Sequence, residues 1–283
     1  MKQLVILGAG TAGTMMSNHL SKTLPDNWRL TIIDQKEIHH YQPGYLFIPF
    51  GTYTESDIVK PIAKFFPNGV QYIQKPILKV NKDEDLVILE DGKAIPYDLL
   101  IIATGTDIAP EETPGMLGPH WYKSIFDFYT LVGAVRLHQA LEDWEGGHLV
   151  VHITEMRIKC PMAPLEFTFL AESYFHSRGM SDKVKIAFIT PMDGAFTKPV
   201  ASDQLGHLLK DKGIEVIPNF NVMEIDGDAK KLIDYEGKEV ALSIRKVGKG
   251  GIVDIKGFYA LFPGGPLKKA SRIAGIPKPA SCI

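Results

Sequence analysis

KQLVILGAGTAGTMMSNHL, residues 2 to 20, is the stretch that decides the fold. An apolar run from Leu4 to Leu7 leads into the hexapeptide from Gly8 to Gly13, and residues typical of a helix follow. In such a GxGxxG turn the first glycine permits a tight turn, the second lets backbone approach a pyrophosphate, and the third allows the helix to pack on the strand. The free N–H groups of the helix start then bind the phosphates. This pattern predicts a dinucleotide-binding βαβ unit.

A second apolar strand supports this prediction. The segment LTIID ends in Asp34, about 20 residues downstream, where a carboxylate binds a ribose hydroxyl. The predicted cofactor-binding residues are the hexapeptide, this carboxylate and its neighbour: Gly8, Ala9, Gly10, Thr11, Ala12, Gly13, Asp34 and Gln35.

Composition sets the broad class of the protein. The 283 residues suffice for two domains, and 45% apolar with 23% charged residues is typical of a soluble globular protein. A net charge of −2 gives no reason to expect nucleic acid. Two cysteines, Cys160 and Cys282, cannot form a disulfide framework, which favours a reducing compartment. We recognise no signal peptide and no apolar run near the roughly 20 residues of a membrane span.

The strand YDLLIIATGTD, residues 97 to 107, indicates which dinucleotide is bound. It ends in Ala103-Thr104-Gly105 and follows a strand-rich stretch with a turn at Glu90-Asp91-Gly92. A Rossmann unit, a β-meander and an ATG strand in this order resemble the FAD domain of the two-dinucleotide-binding-domain flavoproteins. The resemblance implies FAD at the first site, with Ile77, Thr104 and Gly105 among its contacts. NAD at this site is the alternative.

A second βαβ pattern follows an amphipathic stretch from about residue 127 to 144. Its strands are HLVVHIT (148–154), VKIAFIT (184–190) and IEVIP (214–218), with helices predicted at about 163–177 and 201–212. Relatives that bind a nicotinamide nucleotide carry a second glycine-rich turn after the first of these strands. This chain has CPMAPLE, residues 160 to 166, instead. Because proline lacks an N–H and fixes φ, we expect no NAD(P)H at this second site.

The segment predicts the thiol of Cys160 at the start of a helix, where the helix dipole favours the thiolate form, although one cysteine alone is typical of a structural residue. The segment CPMAPLEFTFL resembles the Cys-Pro-x-Ala-Pro-x-Glu motif of the sulfide:quinone oxidoreductases and their flavocytochrome c sulfide dehydrogenase relatives. HHYQPGYLFIPFG (39–51) resembles the loop of that family over the flavin, and TPMDGAFTKPVAS (190–202) is similar to a segment found in part of it.

The resemblance implies a chemistry for these residues. Cys160 holds sulfur as a persulfide or bonds to the flavin, Glu166 is a nearby acid–base group, and electrons pass from sulfide through FAD to a quinone. Tyr41, Gln42, Pro43 and Pro161 line the cofactor. The alternatives are a solvated helix carboxylate for Glu166 and an ordinary surface turn for Tyr41 to Pro43.

The predicted fold class is α/β with two Rossmann-like domains, the second degenerate and inserted in the first. Residues 1–112 form the FAD domain with its meander, 113–250 the second domain, and 251–283 a strand returning to the FAD domain. The family's second redox cysteine and membrane-docking region are not recognised, and Cys282 lies too near the returning strand to match that cysteine. We therefore expect a C-terminally short form, peripheral to a membrane or cytoplasmic.

Two other functions stay open at this point. One is an NAD(P)H-dependent quinone or disulfide reductase of the same superfamily, and the other is a truncated, non-catalytic flavin-binding protein. No metal site is predicted, because the adjacent side chains of His39 and His40 point apart on an extended segment. The oligomeric state is left open, with a homo-oligomer among the alternatives.

Overall fold

The computed structural model describes residues 1–156, 158–241 and 251–255 of the chain. They form two compact units. The first comprises Met1–Tyr41 and Val59–Asp107, and the second comprises Gln42–Ile58 with the described residues from Ile108 onward. Each unit contains a parallel sheet with helices between its strands, which confirms the predicted α/β fold class.

The first unit alternates strands with a helix and then continues as short strands. In chain order its elements are β1 (Lys2–Leu7), α1 (Thr11–Leu20), β2 (Trp28–Asp34), β3 (Ile38–His40), β4 (Val59–Pro61), a 3-10 helix (Ile62–Phe65), β5 (Gln71–Gln74), β6 (Ile77–Asn81), β7 (Leu86–Leu89), β8 (Ala94–Pro96) and β9 (Leu99–Ile102).

The sheet of this unit has the order β5-β2-β1-β9, and all its strands are parallel. Side chains alternate across β1. Leu4 and Ile6 belong to one buried cluster, whereas Val5 and Leu7 belong to another that includes Val87 of β7. Both faces of β1 are therefore covered, which explains why its sequence is a continuous apolar run.

The strands β6, β7 and β8 form the predicted antiparallel meander. The turn between β7 and β8 is confirmed, since Gly92 has φ +82° and its N–H donates to the Leu89 carbonyl at 3.0 Å. The short strands β3 and β4 pair antiparallel with each other.

The second unit has longer helices and a larger sheet. In chain order its elements are a 3-10 helix (Gln42–Phe50), α2 (Glu55–Ile58), a 3-10 turn (Pro110–Glu112), β10 (Ile125–Phe126), α3 (Leu131–Glu142), β11 (Gly147–Ile153), α4 (Ala163–Ser177), β12 (Val184–Ile189), α5 (Pro199–Asp211), β13 (Glu215–Ile217), β14 (Val222–Asp226), β15 (Lys231–Asp234), β16 (Glu239–Ala241) and β17 (Gly251–Ile255).

The main sheet of the second unit is parallel with the order β10-β17-β11-β12-β13, and β14, β15 and β16 form a separate antiparallel sheet. The predicted bounds of α4 are confirmed, and α5 begins two residues before the predicted start. The predicted amphipathic stretch from about residue 127 to 144 contains the helix α3, which begins only at Leu131. Asp127 instead accepts hydrogen bonds from the backbone N–H groups of Tyr129 and Thr130 and so belongs to the turn before the helix.

The predicted domain limits differ from the units at two places. Residues 42–58 lie in the second unit, where the Phe50 ring packs against Phe167 and Tyr174 of α4. The strand β17 pairs with β10 and β11, so residues 251–255 belong to the second unit and not to the predicted returning segment. The predicted returning strand in GFYALFPGGPLKKASRIAGI (257–276) lies outside the described residues, as does Cys282.

Candidate functional site

The glycine-rich turn of the first unit follows β1 and leads into α1. Gly8 has φ +93°, and a Cβ built there would lie 2.3 Å from the Ala103 carbonyl oxygen. The ATG segment therefore packs directly on this turn. A Cβ on Gly13 would lie 1.9 Å from the Gly8 carbonyl oxygen, so the helix approaches the strand more closely than any side chain allows.

Gly10 has a different environment from the other two glycines. No described heavy atom beyond its neighbours lies within 4 Å of a Cβ built on it, and its φ is −70°. Gly10 is also the N-cap of α1, where among the described residues no side chain caps the helix and the first turn holds no acid. The backbone here is open, and its N–H groups can bind a diphosphate.

Asp34 lies at the end of β2 beside this turn. Its Oδ2 accepts a hydrogen bond from the Ala9 N–H at 2.7 Å, and its Oδ1 accepts one from the Lys36 N–H at 2.9 Å. The predicted ribose ligand is therefore adjacent to the predicted phosphate site. Gln35 is exposed, whereas the Ile77 side chain is 5% exposed and packs in the core, which leaves only its main chain for a cofactor.

The cysteine segment lies in the second unit between β11 and α4. Cys160 is exposed and precedes the first helical residue, Ala163, by three positions. The prediction of a thiol on the helix start is therefore corrected to a thiol in the turn before it. This turn exists because Pro161 and Pro164 restrict the chain at the helix entry, and Pro164 occupies the first turn of the helix.

The backbone of Cys160 is left-handed, with φ +57°. For an L-residue this conformation costs roughly 1–2 kcal/mol. Its carbonyl oxygen accepts hydrogen bonds from the Ala163 N–H at 3.0 Å and from the Tyr129 hydroxyl at 3.3 Å. A net contribution of about 0.5–1.5 kcal/mol for each such bond is comparable with the cost, so these contacts stabilise the turn.

The 3-10 helix 42–50, part of the predicted flavin loop, packs against α3, α4 and the loop that carries the cysteine. The Lys159 ammonium donates a hydrogen bond to Gln42 Oε1. The Phe50 and Phe167 ring centroids lie 5.0 Å apart, and His138 Nδ1 lies 3.2 Å from the Pro49 carbonyl oxygen. Two motifs separated by more than 100 residues in the sequence thus lie together in one unit.

The remaining predicted residues lie on exposed parts of the two units. Glu166 is exposed in the first turn of α4, and Tyr41, Gln42, Pro43 and Pro161 are also exposed. Their predicted roles at the cofactor and in acid–base chemistry stay predictions.

Sequence reasoning missed the residues around Asp127. This carboxylate is 2% exposed and accepts hydrogen bonds from the Tyr122 hydroxyl at 2.9 Å and from the Tyr129 and Thr130 N–H groups. Burial raises the pKa of Asp127, and burial raises the pKa of Tyr122 to about 12. The available signal was the D-x-x-T spacing before a helix, with Thr130 as the N-cap that accepts from the Gly133 N–H.

A family model for pyridine nucleotide-disulphide oxidoreductases matches residues 2–151, more than half of the chain. The chain belongs to this family. A mitochondrial sulfide:quinone oxidoreductase from Mus musculus is 26% identical over 231 residues, which cover 82% of this chain and 51% of that protein. The X-ray structure of the sulfide:quinone oxidoreductase from Aquifex aeolicus matches with a TM-score of 0.78 at 21% identity, covering 92% of this chain and 60% of that one. A type II NADH:quinone oxidoreductase from Staphylococcus aureus is 27% identical over 145 residues, 50% of this chain and 34% of that protein.

These matches confirm the predicted resemblance to sulfide:quinone oxidoreductases and the predicted cofactor. The chain spans about half the length of the curated relatives it matches. FAD is the cofactor of this flavoprotein family, and the turn around Gly10, the open start of α1 and the adjacent Asp34 carboxylate fit its diphosphate and ribose.

A second family model, DsrC like protein, matches residues 233–283. The motif-based prediction, which placed a returning strand in this segment, did not detect that similarity. Separately, across the parts of the chain that the structure describes, none of the helices combines the length and apolarity needed to cross a bilayer.

Proposed function

We propose that the protein is an FAD-dependent oxidoreductase that takes electrons from sulfide and passes them to a quinone, with Cys160 as the sulfur acceptor. The observation that carries the proposal is the exposed thiol of Cys160 in the loop after β11. In relatives that bind a nicotinamide nucleotide, this loop carries the glycines of a phosphate site. The similarity to sulfide:quinone oxidoreductases over 82% of the chain supports it.

In the proposed reaction, Cys160 bonds to the sulfur of the substrate. Its thiolate and one hydrosulfide form a sulfur–sulfur bond, which yields a persulfide anion, one proton and two electrons. FAD, when bound, accepts the electron pair and a proton and supplies them to the quinone. A second hydrosulfide then attacks the outer sulfur of the persulfide, the bond to Cys160 breaks, and the thiolate is restored as hydrodisulfide leaves.

Glu166 is proposed to accept the proton that hydrosulfide loses. It lies in the first turn of α4, two positions after Pro164, and its exposure gives the proton a route to water. A carboxylate that exchanges protons with solvent can act in each turnover.

The segment 41–43 is proposed to lie beside the bound FAD. The hydrogen bond from Lys159 to Gln42 supports this, since it ties the segment to the residue that precedes the thiol. Pro161 and the Thr104-Gly105 pair complete the proposed cofactor contacts.

Because quinones partition into the bilayer, the proposal includes contact with a membrane surface.

The test is anaerobic addition of sulfide to the flavin-loaded protein. The visible absorbance of oxidised flavin should bleach and should recover when a short-chain quinone is added. NADH should leave it unchanged, because Pro161 and Pro164 replace the glycines of a second nucleotide site. Bleaching by NADH but not by sulfide would assign the protein to the NAD(P)H-dependent reductases. A flavin that neither donor reduces would favour a non-catalytic flavin-binding protein.

A further inference from the structure

The turn at Cys160 is held from outside its own segment by an aromatic side chain. The Tyr129 hydroxyl donates to the Cys160 carbonyl oxygen at 3.3 Å, a long hydrogen bond that spans 31 positions of the chain. The bond contacts only the main chain of Cys160, and the thiol remains exposed. Tyr129 therefore constrains the left-handed turn without covering the reacting sulfur.

Tyr129 is itself fixed by the buried carboxylate of Asp127. The Tyr129 N–H donates to Asp127 Oδ1 at 2.9 Å, and the Thr130 N–H donates to the same oxygen at 2.7 Å. The other oxygen accepts from the hydroxyls of Tyr122 at 2.9 Å and Thr130 at 3.2 Å. A Cβ on Gly133 would lie 2.3 Å from this oxygen, so the helix start closes over the carboxylate.

The ring that precedes Tyr129 connects this turn to the cysteine helix. The Phe128 and Phe167 rings stack with centroids 4.6 Å apart at an angle of 8°. Phe167 is fully buried on α4, so the turn before α3 and the turn before α4 share one packed core. Movement of Tyr129 relative to Cys160 is thereby limited at both ends.

We propose that Tyr129 is a positioning residue for Cys160, which holds the cysteine backbone in its left-handed conformation through a support anchored on Asp127. The proposal rests on the function proposed above. A nucleophile held by a rigid support loses less entropy when it reaches the reacting geometry, which is the general basis of preorganised sites.

The test compares Tyr129→Phe with its parent, both carrying Cys282→Ser so that Cys160 is the sole thiol. Tyr174→Phe is the matched control, since it removes a half-buried hydroxyl of α4 that bonds to Glu142 at 3.0 Å. The measurements are iodoacetamide alkylation of Cys160 and the steady-state rate with sulfide and a short-chain quinone.

For Tyr129→Phe we expect kcat to fall and alkylation to quicken, each by roughly two- to tenfold, the range for one neutral hydrogen bond. KM for sulfide should stay unchanged, because the hydroxyl contacts backbone and not substrate. Tyr174→Phe should match the parent in all three quantities. Parental values for Tyr129→Phe, or the same changes in Tyr174→Phe, would overturn the proposal.

The two proposals fail in different ways. If sulfide does not reduce the parent, the proposed function is wrong, and the alkylation rates still decide whether Tyr129 holds Cys160. If Tyr129→Phe does not fold, the same change is made together with Cys160→Gly, which adopts the left-handed turn without cost. Folding of this double variant supports the proposal, and failure to fold assigns Tyr129 to general packing and overturns it.

Discussion

Gly10→Ala separates cofactor binding from folding in the first unit. The φ of −70° suits any residue, and a Cβ there meets no described heavy atom within 4 Å. Alanine is a poorer N-cap than glycine, which lowers the free energy of unfolding, but it also restricts the unfolded chain, which raises it. Each effect is under about 1 kcal/mol, and the two oppose one another. At roughly 2–4 °C per kcal/mol for a protein of this size, the flavin-free melting temperature should move by no more than a few degrees.

The flavin content should respond far more strongly than the stability. The open space at Gly10 is where a pyrophosphate would approach the backbone, and a methyl group would fill it. Every 1.4 kcal/mol lost from binding lowers the affinity about tenfold. Purified Gly10→Ala should therefore contain little flavin, and Gly10→Val less still, when flavin and protein absorbance are measured on the same sample.

Gly13→Ala is the matched control, because its methyl group would lie 1.9 Å from the Gly8 carbonyl oxygen. The Cα of Gly13 and the Gly8 carbonyl both belong to the main chain of packed elements, so neither group can rotate away from the clash. Such overpacking typically lowers the free energy of unfolding by about 1–3 kcal/mol or more, which should lower the melting temperature of the flavin-free protein. Parental flavin content in a folded Gly10→Ala and Gly10→Val would refute this turn as the FAD site. Equal melting temperatures for Gly13→Ala and its parent would refute the packing argument.

Cys160→Ser should keep its flavin and fold but lose bleaching by sulfide, while Cys282→Ser changes little; bleaching at the parental rate in Cys160→Ser would make the cysteine structural. Burial raises the pKa of Asp127 above its ordinary 3.8, so its contribution to the free energy of unfolding is greatest below that value and falls as pH rises through the raised pKa. In denaturant titrations the stability of the parent relative to Asp127→Asn should shrink with rising pH, and a constant difference would contradict the assignment. Phe50→Ala should lower the free energy of unfolding by about 2–3 kcal/mol, because it removes a ring packed on α4. Tyr53→Ala, at an exposed position, is the control and should lower it by under about 1 kcal/mol, with thermal melts as the measurement.

The glycine turn was predictable because two of its constraints are local. Gly8 has a positive φ, and Gly13 lies against the Gly8 carbonyl oxygen, within a strand–turn–helix of fewer than twenty residues whose sequence spacing is diagnostic. Helix α4 was predicted with its observed limits for a similar reason, since Pro161 and Pro164 mark its entry and Gly179 follows its end.

The support around the cysteine was not predictable, because it depends on contacts between distant parts of the chain. The bond from Tyr129 to Cys160 spans 31 positions, and that from Lys159 to Gln42 spans 117. Neither tyrosine nor lysine at these places differs from an ordinary surface residue in the sequence. The assignment of residues 42–58 to the first unit failed for the same reason, since Phe50 finds its partner on a helix that begins more than a hundred residues later.

The position of β17 has a consequence for the order in which the second unit can assemble. This strand, Gly251–Ile255, lies between β10 and β11, which are complete about a hundred residues earlier in the chain. While the ribosome makes the intervening segment, β10 and β11 each present an unpaired edge toward the place that β17 will fill, and such edges invite pairing with other chains. This interior strand is made after the other four strands of the sheet, so the sheet closes only after synthesis has passed residue 255. Contacts of such large sequence separation fold slowly, and this unit should depend more than the first on protection from aggregation during synthesis.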